Sequence, residues 1–171
     1  MSDFELAQLN IAELIASLDS PKLKDFVDNL DRINALADNF DGFVWRLETE
    51  DGDATALRPF GEDIIINMSL WRSIDDLHRF VYQSGHLDIM RQRRRWFRPS
   101  RQATMVLWWV PAGHRPDFAE AGAKLQQLRS QGASAEAFTF GRPFPMPDTQ
   151  DGSTAAIQPA DSEVSSLWGI C

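Results

Sequence analysis

The stretch Thr104–Val110, TMVLWWV, holds no polar side chain after its first residue. Side chains of a strand alternate between two faces, so Met105, Leu107 and Trp109 point one way and Val106, Trp108 and Val110 the other. Such a strand is stable only where both faces of its sheet are covered. Three other segments carry the same condition in weaker form. Leu6–Ile11 alternates, with Ala7, Leu9 and Ile11 opposing Gln8 and Asn10; Phe43, Trp45 and Leu47 oppose Val44, Arg46 and Glu48; Ile64, Ile66 and Met68 oppose a side that mixes Ile65 with Asn67, Ser69 and Trp71. The predicted sheet thus has one dry face and one semi-polar face.

Between these strands the apolar period changes to that of a helix. Asp19-Ser20-Pro21 supplies a cap and a proline suited to a first helical position, and Leu23, Phe26, Val27, Leu30, Ile33, Leu36 and Ala37 continue as one stripe, with Asn34 inside it. Ser73-Ile74-Asp75-Asp76 reads as a helix start in which a hydroxyl and an acid satisfy free backbone amides, and Ile74, Leu77, Phe80 and Val81 form the buried side. Ser84-Gly85 breaks that helix. A second segment from His86 to about Phe97 puts Leu87, Met90, Arg94 and Phe97 on one side, which places a guanidinium among apolar neighbours, where it needs an anionic or hydrogen-bonding partner. After Pro111-Ala112-Gly113-His114 a further helix carries Phe118, Ala121, Leu125 and Leu128 and is closed by Gly132, and Ala137–Phe140 reads as a short edge strand.

The order strand, helix, strand, strand, helix, strand is the split βαβ pattern of the ferredoxin-like α+β sandwich, here with an extra C-terminal helix. In that fold both helices cover one sheet face. The other face, apolar in every strand, then implies a homodimer joined sheet to sheet about a two-fold axis. The predicted domain runs over 1–140, and 141–171, rich in Pro, Ser, Gly and Asp, reads as a weakly ordered tail.

A net charge of −8 opposes binding to nucleic acid or anionic membrane surfaces. The local run Arg91, Arg93, Arg94, Arg95, Arg98 and Arg101 has two readings, an anion site or a solvated face paired with the abundant acids; the solvated face is the more common outcome of a charge run. Arg94 stands apart because of its apolar stripe. The single cysteine, Cys171, permits neither an intramolecular disulfide nor a multi-cysteine metal site, and no run reaches the ~18 apolar residues of a membrane span, so the chain reads as soluble and cytoplasmic. Asp51-Gly52-Asp53 lacks the further oxygen ligands of a calcium loop and reads as a turn. The familiar phosphate-binding, nucleophile-elbow and zinc motifs do not occur.

Several phrases carry a family resemblance: Leu6-Ala7-Gln8-Leu9-Asn10, Ala54-Thr55-Ala56-Leu57-Arg58-Pro59-Phe60, Asn67-Met68-Ser69-Leu70-Trp71, Arg94-Arg95-Trp96-Phe97 and Leu107-Trp108-Trp109-Val110-Pro111-Ala112-Gly113-His114. To these is added Phe80-Val81-Tyr82 followed by Ser84-Gly85-His86. They closely resemble a bacterial domain-of-unknown-function family, number 3291, similar to the dimeric α/β barrel superfamily that includes antibiotic-biosynthesis monooxygenases and haem-degrading oxygenases. The resemblance covers the chain up to Phe140. It implies a pocket between sheet and helices that takes a small apolar aromatic molecule, with either no cofactor or haem. Haem-degrading members use an Asn on the first strand, a Trp ending the third and a His on the next helix, and Asn10, Trp71 and His86 stand in similar places. His86 follows Trp71 by fifteen residues, a longer spacing than in those members, so its role as iron ligand competes with that of a pocket-shaping residue or proton-transfer base. On this reading Trp71 and Trp109 stack the substrate, Asn10 and Asn67 hold a developing oxyanion or peroxide oxygen, and Ser69, Arg46 and Arg94 complete the binding surface. Two plainer readings stay open: Asn10, Asn67 and Ser69 satisfy one another across paired strands while His86 caps a helix junction, or the protein is a non-catalytic homodimer that only holds a small ligand.

Overall fold

The structure, a computed structural model, describes residues 2–50 and 52–148. The expected tail from 149 onward, with Trp168 and Cys171, lies outside the described residues. In chain order the elements are β1 (Phe4–Glu13), α1 (Lys24–Asp38), β2 (Phe43–Arg46), β3 (Ile64–Trp71), α2 (Ile74–Gln83), α3 (His86–Gln92), a 3-10 turn (Arg93–Arg95), β4 (Met105–Pro111) and α4 (Phe118–Gln131). The strands lie in the order β2-β3-β1-β4 with antiparallel pairings throughout. This is the ferredoxin-like arrangement that the order of elements implies.

One sheet face lies under α1, α2 and α3. Leu6, Trp71, Met105 and Leu107 pack there against Leu77, Phe80, Val81 and Met90, while Ala12 and Ile65 pack against Phe26, Ile33, Trp96 and Phe97. The opposite face is not bare. Ala7, Leu9, Met68, Leu70 and Val106 are fully or almost fully buried beneath Ala121, Leu125 and Leu128 of α4, and Ala54, Leu57 and Phe60 from the β2–β3 connection close the rim. The Trp108 indole N–H, on the same face, donates to Glu120 Oε1 at 2.9 Å. The inference of a sheet-to-sheet homodimer from an uncovered face therefore loses its ground: the C-terminal helix does within one chain what a second copy was invoked to do. An amphipathic stripe announces that a helix must dock; it does not say on which side of the sheet.

Three local departures matter for the site. The chain at Pro21 forms turns rather than helix, and α1 begins at Lys24, with Leu23 at its cap and no side-chain capping bond. In β2 a bulge lies between Phe43, opposite Trp71, and Trp45, opposite Leu70; Arg46 then faces Ser69. The inserted Val44 breaks the alternation, so Phe43 and Arg46 share the helix-covered face while Trp45 and Leu47 join the α4 side. Finally, the helix after Gly85 tightens to three residues per turn at Arg93–Arg95, which rotates the residues beyond it. Trp96 and Phe97 turn inward and Arg94 is exposed, so the predicted guanidinium in an apolar stripe does not arise.

The start of α2 forms as its sequence requires. Ser73 Oγ accepts from the Asp76 amide at 3.1 Å and donates to Asp76 Oδ2 at 2.7 Å, and Arg79 pairs with the same buried carboxylate. Gly42, with φ of +98°, passes so close to Asp76 that an added Cβ would sit 2.2 Å from its Cγ. Among the described residues no helix is long and apolar enough to cross a membrane.

Chemical denaturation of Gly42→Ala is expected to show a loss of about 3 kcal/mol, combining left-handed backbone strain with overpacking against Asp76. Gly52→Ala, at φ of +89° but with open space around it, loses only about 1 kcal/mol. Leu125→Ala, which uncovers the second sheet face, costs roughly 2–5 kcal/mol in the same measurement.

Candidate functional site

Register places the polar residues of the helix-covered face in two opposed pairs, Gln8 facing Ser69 and Asn10 facing Asn67. Above them α1 brings Asn34, and α2 and α3 bring Phe80 and His86. Together with Phe43, Arg46 and Trp71 these residues line a cavity of about 40 Å³, room for roughly two or three waters.

One half of the polar set is satisfied. The Trp71 indole N–H donates to Ser69 Oγ at 2.9 Å, and Ser69 Oγ donates to Gln8 Oε1 at 2.8 Å. This chain crosses from β3 to β1 and fixes the Trp71 ring, which is also held between Phe43 at 5.4 Å and Phe80 at 5.0 Å. The other half is not satisfied. Asn10 Oδ1 and His86 Nδ1 are both buried without a hydrogen-bond partner among the described residues, although Asn67 stands directly across from Asn10.

His86 follows the α2–α3 break, where its backbone amide donates to Ser84 Oγ at 3.1 Å. Its ring lies 5.0 Å from Phe80, and the residue is only 5% exposed. Burial pushes its pKa down to about 4, against the weaker upward pull of a hydrogen bond to the Val81 backbone. In a neutral imidazole one ring nitrogen carries the proton and the other accepts one, and Nδ1 is the ring nitrogen left without a partner among the described residues.

Arg46 closes one side. Its Nε donates to Asp38 Oδ1 at 2.8 Å, a terminal nitrogen donates to the Gly52 carbonyl at 2.7 Å, and Glu48 lies at 3.0 Å. The carboxylate of Asp38 raises its pKa. The guanidinium thus ties the end of α1 to β2 and to the loop after it.

Of the residues selected from sequence, Asn10, Trp71, His86, Asn67, Ser69 and Arg46 meet at this cavity. Arg94 and Trp109 do not: Arg94 lines a groove elsewhere, and Trp109 on β4 gives its indole N–H to the Phe144 carbonyl at 3.1 Å. Gln8 and Asn34 belong to the lining and were not selected, although both carried a signal: Gln8 shares the parity of Asn10 on β1, and Asn34 is an amide inside an apolar stripe. A haem macrocycle exceeds the cavity of about 40 Å³, as does any bicyclic molecule unless the lining moves apart, so no chemical step is routed through one. Among the described residues no group of three or more His, Cys, Asp or Glu is placed to hold a metal ion.

Several solved structures are similar to the chain at low identity. SnoaB, a cofactor-independent oxygenase from Streptomyces nogalater, is similar at 18% identity over 70% of this chain and 100% of that one, with a TM-score of 0.41. NE2512 from Nitrosomonas europaea, a protein of unknown function, is similar at 12% identity over 67% of this chain and 94% of that one, with a TM-score of 0.42. Rv0793 from Mycobacterium tuberculosis is similar at 14% identity over 66% and 99%, with a TM-score of 0.41. Among proteins of curated function none matches the chain. The model of the domain of unknown function DUF3291 matches residues 5–154, most of the length, and the chain belongs to that family.

Proposed function

We propose that the cavity binds a small, flat, hydroxylated aromatic molecule and that His86 takes a proton from it, as the opening step of a monooxygenase-like reaction that uses no bound cofactor. The observation that carries this reading is the pair of buried polar atoms, Asn10 Oδ1 and His86 Nδ1, that lack a partner among the described residues and belong to residues lining one cavity. A buried polar atom without a partner costs about 1–3 kcal/mol, and a ligand that brings O–H donors relieves that cost. The aromatic lining of Phe43, Trp71 and Phe80 accounts for the flat, apolar body. With a pKa near 4, His86 is a weak base that stays uncharged at neutral pH, and it suits an acidic hydroxyl such as that of a hydroxyquinone or enol rather than an aliphatic alcohol. A hydroxyquinone, already oxidised, serves as a binding probe only, whereas with an enol or a hydroquinone the electron-rich anion left by that proton transfer supplies the electrons that reduce dioxygen. Asn10 and Asn67 stand where their amides can hold its oxygens. Because the cavity holds only a few waters, entry of such a ligand requires its lining to move apart.

The same two unpartnered atoms also serve a protein that only holds such a ligand. Dioxygen uptake separates the two readings. Titration with 2-hydroxy-1,4-naphthoquinone and with single-ring catechols is expected to quench tryptophan fluorescence saturably, with affinity about tenfold weaker in Asn10→Leu and in His86→Leu, a difference of about 1.4 kcal/mol. Absence of saturable quenching across the panel overturns the ligand class. Quenching without dioxygen consumption leaves the holding role and removes the oxygenase. A Soret shift with haemin that is lost in His86→Ala overturns the cofactor-free reading.

A second expectation concerns pH. Since the folded pKa of His86 is near 4 and its ordinary value is 6.5, the unfolded chain binds the extra proton between these values, and stability falls as pH drops from 6.5 towards 4. The loss attributable to this group is about 3 kcal/mol. Denaturation curves across that window should be steeper with pH for the natural chain than for His86→Gln by that amount.

A further inference from the structure

We propose that a groove at the far end of the sheet is a second binding site, for a small organic anion carrying two or more negative charges. The groove, about 890 Å³, opens where β1 outruns β4, between the 3-10 turn, the connection into β4 and the C-terminal end of α4. Its charged lining consists of Arg93, Arg94, Arg98, Arg101 and Arg129 against the carboxylate of Glu13. That imbalance occurs in a chain with a net charge of −8, in which 25 acidic residues were free to be placed opposite.

The arginine run divides cleanly. Arg91 and Arg95, outside the groove, pair with Asp88 and Asp25 at 3.7 and 3.0 Å, as a solvated face would. Within the groove Arg98 pairs with Glu13 at 3.1 Å. Arg94, Arg101 and Arg129 form no ion pair with a carboxylate among the described residues, and Arg129 engages the Ala103 carbonyl through its Nε at 2.8 Å. Crowding and burial also act on this cluster: Arg93 is held below its ordinary pKa by burial and by the charge of Arg94, and Arg129 by burial. Like charges gathered around one concavity repel until an anion neutralises them, and planar guanidinium forks match the oxygens of carboxylates and phosphates. Ser100, Gln102, Thr104 and Thr139 add neutral polar groups to the walls, while Phe97, Met105 and Phe140 give the anion's organic body an apolar surface. A phosphate ester and a polycarboxylate share this chemistry. The site uses none of the residues around His86, so either proposal survives the failure of the other.

Isothermal titration of the full chain at fixed ionic strength, with pyrophosphate, citrate and phenyl phosphate as probes, tests the proposal. Saturable binding is expected, at least about tenfold weaker in the Arg94→Ser/Arg101→Ser double variant. Both positions are exposed, so the variant should keep its circular dichroism and its melting profile. Preference for phenyl phosphate assigns phosphate esters, and preference for citrate assigns polycarboxylates. No saturable heat above a sodium chloride control, equal affinity in the double variant, or displacement of every probe by a single-stranded oligonucleotide that binds more tightly overturns the small-anion site.

Discussion

A sheet that is apolar on both sides needs two covering layers, and the rest of this molecule depends on how the second layer is supplied. Helices α1, α2 and α3 take one face as the split βαβ order dictates. The return of α4 across the other face, with Leu125 and Leu128 over the central strands and Glu120 receiving the Trp108 N–H, makes the sheet a rigid platform within a single chain. Had α4 docked on the helical side, Val106, Trp108 and Val110 would have been left to a partner. The dry face settles stability; the semi-polar face is thereby free to carry chemistry.

On that second face the same antiparallel register produces two outcomes from similar residues. Gln8 and Ser69 complete a chain that ends on the Trp71 indole, so one wall of the cavity is fixed by bonds that satisfy one another. Asn10 and Asn67 occupy the next opposed pair, yet among the described residues neither Asn10 Oδ1 nor His86 Nδ1, both from the lining of the cavity, has a partner. A fully connected network stiffens a core, whereas a partly connected one keeps interaction free energy in reserve. The boundary between the two runs through the middle of the cavity.

Much of this was legible from residue order. Apolar patterning located all four strands, the Ser73 box located α2, and most of the selected residues converge on one cavity. What was not legible has specific physical causes. Phe43-Val44-Trp45 is apolar at every position, so nothing in it marks which residue is extra, and the bulge that turns Phe43 and Arg46 to the same face left no trace in the pattern. Arg94 was assigned a buried place by carrying helical spacing through Arg93–Arg95, where the turn narrows and the phase is lost. Trp109 was paired with Trp71 as a substrate-stacking residue in the reading that the family resemblance implied; the β1–β4 pairing instead puts it on the edge strand, against Phe138 and Phe144. The arginine run read correctly as paired surface at Arg91 and Arg95. Chain-wide charge could not reveal that Arg94 and Arg101 lack carboxylate partners among the described residues, because ion pairing is decided by placement rather than by totals.

The orphaned pair in the cavity also has a practical meaning. A group that gains its missing partner only when a guest arrives couples occupancy to the folding equilibrium, since the guest binds the native state and not the unfolded chain. At a hundredfold excess over its dissociation constant a ligand raises stability by about 2.7 kcal/mol, several degrees in melting temperature for a domain of this size. A ligand taken up as proposed would therefore report itself: fractionated metabolites can be sorted by the midpoint of a melting curve, with no assumption about the chemistry performed on them.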